Sequence, residues 1–291
     1  MFSRILIATD LTPASQEVVN CARGLKALGT KEVILTHCIN IRHDVGGIAK
    51  RIEELIKPDI MNQKRLLEEQ GFATTVEIAL GLPHIEINRL AVERKCSAII
   101  IGSIGSSTWG EVMLGGVANA ILHYASMPVF VVRVKAYEKD GQLTCEVCQS
   151  NFNEHILFPT DFSDNAEYAF TYVEKFVESG AKCVTLLHVQ EKARIEKYLE
   201  HRLDEFNEID RNRLERLKTE LENKGATDVR IELPYGSPVK EILKQISETG
   251  VSLVIMGSQG RGFISEVFLG SVSYNISRSA PVSVLLVPKP R

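Results

Sequence analysis

Short apolar runs alternate with longer amphipathic stretches, and the second half of the chain shows this most clearly. His155–Pro159 is apolar without a helical period, as a strand buried on both faces would be. Ser163 or Asp164 then offers an N-cap, followed by Ala166, Ala169, Phe170, Val173 and Phe176 at helical spacing and a stop at Gly180. Residues 184–189 read as a second strand. Ile195, Leu199, Leu203, Phe206, Ile209, Leu214, Leu217 and Leu221 recur at three- to five-residue steps, predicting one or two amphipathic helices ended by Gly225. A strand at 229–233, a helix over Pro238–Thr249, a strand at 251–256, a helix from about Ser271 and a strand at 282–287 complete the unit. Strands alternating with helices imply parallel pairing and a doubly wound α/β sheet. Ligands of such sheets lie beyond the carboxyl ends of the strands.

The first half repeats the second. Ile5-Leu6 and Thr9-Asp10 answer Ile156-Leu157 and Thr160-Asp161 at an offset of 151 residues, and His37 answers His188. Gly81 and Pro83 answer Gly236 and Pro238, and Gly102-Ser103 answers Gly257-Ser258, now at an offset of 155. Solenoid periods run to about 50 residues, so a repeat this long is a duplicated domain. The expected organisation is one domain over 1–136, a linker over 137–153 and a second domain over 154–291.

The loop after the fourth strand of the second unit carries the chemistry. It reads Met256, Gly257-Ser258-Gln259-Gly260, then nine residues beginning with Arg261, then Gly270-Ser271-Val272-Ser273. Glycines after a buried strand let backbone N–H groups approach an anion with no Cβ in the way. Gly270-Ser271 falls where a helix begins, so its amides and positive dipole end suit phosphate. Ser271 and Ser273 would add hydroxyl donors, and Arg261 would neutralise charge. Neither a Walker A sequence nor a Gly-x-Gly-x-x-Gly in the first turn is present, which argues against P-loop and dinucleotide folds.

With Pro159-Thr160-Asp161 after the first strand and Leu187-His188-Val189 ending the second, this glycine pattern resembles the universal stress protein family. The resemblance covers nearly the whole chain as two tandem copies. It implies two five-stranded, mostly parallel units of the adenine-nucleotide alpha-hydrolase-like fold, packed as a pseudo-dimer with a further homodimer left open. The ATP-binding branch of that family carries the glycine pattern seen here. By resemblance, Pro159, Thr160 and Asp161 line the adenine and ribose pocket with Val189 against the base. Gly257 and Gly260 flank ribose and phosphates, while Gly270, Ser271 and Val272 hold the phosphate tail. The first copy offers Ala8, Thr9, Asp10, Cys38, Gly102, Ser103, Gly105, Gly115 and Gly116 as a weaker site, with Gly116 where Ser271 stands. The expected function is regulatory binding of ATP or AMP in a stress response, more a binding role than an enzymatic one. A slow ATPase or phosphotransferase using magnesium in the same pocket, and a ligand-free interaction scaffold, are the alternatives.

Other residues change this picture little. No second acid or histidine recurs near both Asp10 and Asp161 in the two copies, so an orienting or capping role suits them better than general acid–base work. His37 and His188 read as core or pocket-edge histidines. Trp109 reads as an interface aromatic, with base stacking as the alternative. Cys145 and Cys148 form a Cys-x-x-Cys in the expected linker. With His155 they make a three-ligand zinc candidate one short of a tetrahedral set; a redox dithiol or an inert turn are the competing readings. The mixed charges between Glu191 and Lys224 read as a solvated helix face. A net charge of −3 carries no electrostatic footprint for nucleic acid. No apolar run approaches the ~20 residues of a membrane span. With a strand-like run beginning by Ile5, no signal peptide and a cytoplasmic location are expected.

Overall fold

A computed structural model describes residues 1–41, 47–104, 114–139, 142–148, 151–191, 203–260 and 269–289. Two compact units divide the chain, Met1–Ser150 and Asn151–Arg291.

The second unit is built on β8 (His155–Pro159), β9 (Cys183–Leu187), β11 (Asp228–Glu232), β13 (Leu253–Gly257) and β14 (Ser283–Val287), ordered β11-β9-β8-β13-β14. Every neighbouring pair is parallel. Ile156, Leu157, Phe158, Val184, Leu186, Val254, Ile255 and Leu285 are fully buried, because a parallel sheet carries helices on both faces. Those helices are α5 (Asp164–Glu178), α6 (Leu203–Asn223), α7 (Pro238–Thr249) and α8 (Ser271–Ser279). Ser163 caps α5 by accepting from the Ala166 amide, and Ala166, Ala169, Phe170, Val173 and Phe176 form its buried stripe. Strand order reverses between β8 and β13, so the loops after these two strands open on one crevice.

The second strand is shorter than the 184–189 expected. The chain leaves the main sheet after Leu187, and a short β10 (Gln190–Glu191) pairs instead with β12 (Tyr235–Gly236). His188 and Val189 thereby fall outside the ladder, at the mouth of the crevice.

The first unit repeats this order with β1 (Arg4–Thr9), β2 (Glu32–Ile39), β3 (Ala73–Leu80), β4 (Ala98–Gly102) and β5 (Val129–Val132) as β5-β4-β1-β2-β3, again parallel throughout. Its helices are α1 (Pro13–Cys21), α2 (Ile48–Glu69), α3 (Pro83–Glu93) and α4 (Gly116–Tyr124).

Much of the expected linker is ordered. β6 (Val134–Lys139) and β7 (Gln142–Val147) pair antiparallel, with Val134 opposite Val147 and Ala136 opposite Cys145, and β7 packs on α1. The sequence carried the signal: Asp140-Gly141 between two alternating runs favours a hairpin. Among the described residues no helix is long and apolar enough to cross a membrane.

Candidate functional site

A cleft of about 550 Å³ opens in the second unit at the carboxyl ends of its strands. Pro159, Thr160, Asp161, Val189, Met256, Gly257, Gly260, Gly270, Ser271, Val272 and Ser273 all line it, so the structure brings together nearly every residue nominated from sequence. Arg261 lies outside the described residues, as do Gly105 and Trp109 of the first unit.

The turn after β8 is shaped by its own side chains. Thr160 Oγ1 accepts from the Phe162 amide at 3.0 Å and Asp161 Oδ1 from the Ser163 amide at 3.1 Å. Phe162 is held at φ 56°, a left-handed conformation that costs a non-glycine residue free energy. The second Asp161 oxygen points at the glycine loop: a Cβ on Gly260 would lie 2.6 Å from Oδ2. Glycine is therefore needed at 260 for carboxylate and loop to share the cleft.

Residues 257–259 are pinned at four points. Ser258 N donates to Val287 O at 2.9 Å, and Ser258 O accepts from Gly270 N at 2.7 Å. Gln259 N donates to Asn165 Oδ1 at 2.8 Å, and Gly257 O accepts from Ser273 Oγ at 2.8 Å. Ser273 is thus not a spare hydroxyl donor for a ligand, as its sequence position suggested; it is buried and its proton is committed to the loop. Ser258 likewise closes the loop by its backbone and is not part of the cleft lining. Helix α8 begins at Ser271, with Gly270 as an N-cap that contributes no side-chain bond. The exposed Ser271 hydroxyl and the first-turn amides so face the cleft at the positive end of the helix dipole.

Helix α6 supplies a wall whose charged residues the sequence reading assigned to solvent. Ile209, Asp210 and Arg213 line the cleft. Asp210 gathers three partners at long range: Gln190 Nε2 at 3.5 Å, His188 Nε2 at 3.4 Å and Arg213 at 3.6 Å. His188 Nδ1 donates to Thr160 O at 2.7 Å, and its ring lies 4.6 Å from that of Phe162. The Arg213 guanidinium lies 5.2 Å from the Phe162 ring centre, a cation–π geometry. Ile242 and Pro238 of α7 complete the apolar side. Asp210 and Arg213 were missed because a mixed-sign helix reads as a solvated face.

The zinc candidate does not assemble. Both ring nitrogens of His155 are engaged inside the unit, Nδ1 with Thr249 O at 3.0 Å and Nε2 with Thr185 Oγ1 at 2.8 Å. Among the described residues no group of three or more histidine, cysteine, aspartate or glutamate side chains could hold a metal ion. Cys145 lies on β7 and Cys148 just past its end; the extended backbone between them spans roughly 10 Å, beyond the ~7 Å limit for a disulfide. Burial raises both thiol pKa values, which keeps them in the unreactive form.

The family model for the universal stress protein family matches residues 1–133 and again 153–288. The chain belongs to the universal stress protein family. A universal stress protein of Methanocaldococcus jannaschii is 35% identical over 153 residues, covering 46% of this chain and 94% of that protein. One of Mycolicibacterium smegmatis is 27% identical over 300 residues and aligns over 99% of this chain and 97% of its own length, so the tandem form recurs there. The crystal structure of a universal stress protein from Archaeoglobus fulgidus superposes with a TM-score of 0.73 at 23% identity, covering 99% of both chains, which shows the shared fold.

Proposed function

We propose that the second unit binds an adenine nucleotide, ATP or AMP, and that the protein serves a stress response as a nucleotide-binding regulator. One observation carries this reading: a single cleft joins the Asp161 carboxylate, seated against Gly260, to the side-chain-uncapped first turn of α8. A carboxylate suits ribose hydroxyls, which donate to it, and helix-start amides suit phosphate oxygens, which accept from them. The residues fit such a ligand. Asp161 takes the ribose, Val189, Pro159 and Ile242 flank the base, and the Ser271 hydroxyl and the amides of residues 271–273 hold the phosphates. A volume of about 550 Å³ falls in the range of small-molecule sites. The first unit is the weaker site, through Thr9, Asp10, Gly102, Gly115 and Gly116.

The test is to denature purified protein, identify any released nucleotide, and titrate stripped protein with ATP and AMP by calorimetry. Micromolar or tighter binding of either supports the reading, and no heat from either contradicts it. Following ATP with and without magnesium in the same sample separates binding from turnover.

A further inference from the structure

We propose that Asn165 is a positioning residue that presets the glycine loop for phosphate, an inference resting on the nucleotide reading above. Asn165 is the second residue of α5, a place usually turned to solvent in a first turn, yet it is 4% exposed. Its amide reaches two elements distant in sequence. Nδ2 donates to Val287 O at 3.0 Å, at the end of β14. Oδ1 accepts from the Gln259 amide at 2.8 Å, inside the loop.

The fit is mutual. A Cβ on Gly257 would lie 2.9 Å from Asn165 Oδ1, so glycine at 257 is what lets the side chain in. Val287 O also accepts from Ser258 N, so one carbonyl anchors both the loop and the residue that holds it. With Gln259 N tied to Asn165, the backbone of residue 260 is delivered beside Asp161. A loop held in that shape before a ligand arrives does not lose the entropy of ordering when phosphate binds. Asn165 does not line the cleft, so its influence runs through the loop and not through a ligand contact.

The repeat supports the assignment. Ala14 occupies the corresponding place in the first unit, with Val18 Cγ2 filling the space against Gly102. An alanine in a buried first turn at that place is therefore compatible with the fold.

The experiment compares full-length wild type with Asn165→Ala, using ATP and adenosine as ligands and hydrogen exchange at the Gln259 amide in ligand-free protein. The urea midpoint monitors folding. Expected are faster exchange at Gln259, on the order of tenfold weaker ATP binding from the loss of the bond that holds the Gln259 amide, and adenosine binding within about twofold of wild type. Loss of ATP and adenosine affinity in equal proportion would make Asn165 a merely structural residue and overturn the proposal. Unchanged exchange, or unchanged ATP affinity in a variant whose wild type binds ATP, overturns this inference alone. A wild type that binds no ATP overturns the nucleotide reading and this proposal with it.

Discussion

The two units share a strand order and a glycine pattern but differ in how the loop after the fourth strand is held. Both keep the backbone bonds. In the first unit Ser103 N donates to Val132 O at 2.9 Å and Gly115 N to Ser103 O at 2.8 Å, matching Ser258 and Gly270 in the second. The side-chain bonds are what differ. Ala118 stands for Ser273 and Ala14 for Asn165, so the hydroxyl and the amide that clamp Gly257 and Gln259 are lost at those two places, and the Ser103 hydroxyl instead accepts from Val134 N at 3.1 Å. Around the cleft the exchanges run the same way, with Ile39 for Gln190, Ile104 for Gln259 and Gly116 for Ser271. By contrast, the turn after the first strand is preserved. Leu11 at φ 62° and Phe162 at φ 56° keep the same left-handed backbone, and His37 and His188 both donate to the threonine carbonyl. Duplication kept the scaffold and the turn that carries the aspartate, while the side chains around the glycine loop changed.

The largest expected effect comes from Gly260→Val. Its Cβ would enter the 2.6 Å approach to Asp161, so ATP binding should fall at least about a hundredfold, a loss near 2.7 kcal/mol. The fold should survive, because the loop is outside the packed sheet. Circular dichroism and calorimetry on the same sample check both halves; ATP affinity within a few-fold of wild type would reduce the loop to a simple turn.

Ser273→Ala makes the second unit imitate the first at Ala118. Removing the hydroxyl leaves the Gly257 carbonyl without that partner, which should cost about 1–3 kcal/mol in urea unfolding and weaken ATP binding severalfold. The reciprocal pair Gly116→Ser with Ala118→Ser should strengthen nucleotide binding in the first unit. No gain there would mean that the asymmetry lies elsewhere.

Much of this was legible in sequence, though unevenly. Strands buried on both faces were found because continuous apolar runs such as His155–Pro159 have no other economical reading. The glycine loop stood out because its spacing recurs in both halves. Asn165 did not, since an Asn after an N-cap Ser looks like an ordinary first-turn residue until the loop is seen folding over it. Asp210 and Arg213 were hidden in a helix whose other charges, such as Glu208, Arg211, Glu215 and Arg216, are exposed. Cys145 and Cys148 attracted a metal reading on spacing alone. Spacing cannot tell a tight turn, which converges two thiols, from a strand, which separates them.

A smaller effect separates the units by pH. His155 is buried where the first unit has Arg4, half-exposed and paired with Glu32. Burial pushes the His155 pKa below its ordinary 6.5, so the folded state favours the neutral ring. The neutral form satisfies both partners, with Nδ1–H donating to Thr249 O and Nε2 accepting from the Thr185 hydroxyl. Its contribution is present in full above pH 6.5 and is lost as pH falls toward the depressed folded value. Urea unfolding between pH 7.5 and 5 should show this loss in wild type and a flatter profile in His155→Gln; parallel profiles would contradict it.

Smallest of all, Cys145→Ser with Cys148→Ser should leave stability within about 0.5 kcal/mol, since neither thiol is deeply buried or shown bound to a partner that serine could not replace. A larger loss on urea unfolding would give the pair a role that their separation does not suggest.

The most direct measurement is a calorimetric titration of the full-length, nucleotide-stripped chain with ATP, followed by photolabelling with an azido-ATP and peptide mapping. The account predicts one tight site per chain, with label confined to peptides that carry residues 159–161, 187–191 or 257–273. Two equivalent sites, or label concentrated in the first unit around Asp10 and Gly116, would contradict the central claim that the nucleotide end of the fold is kept in the second unit.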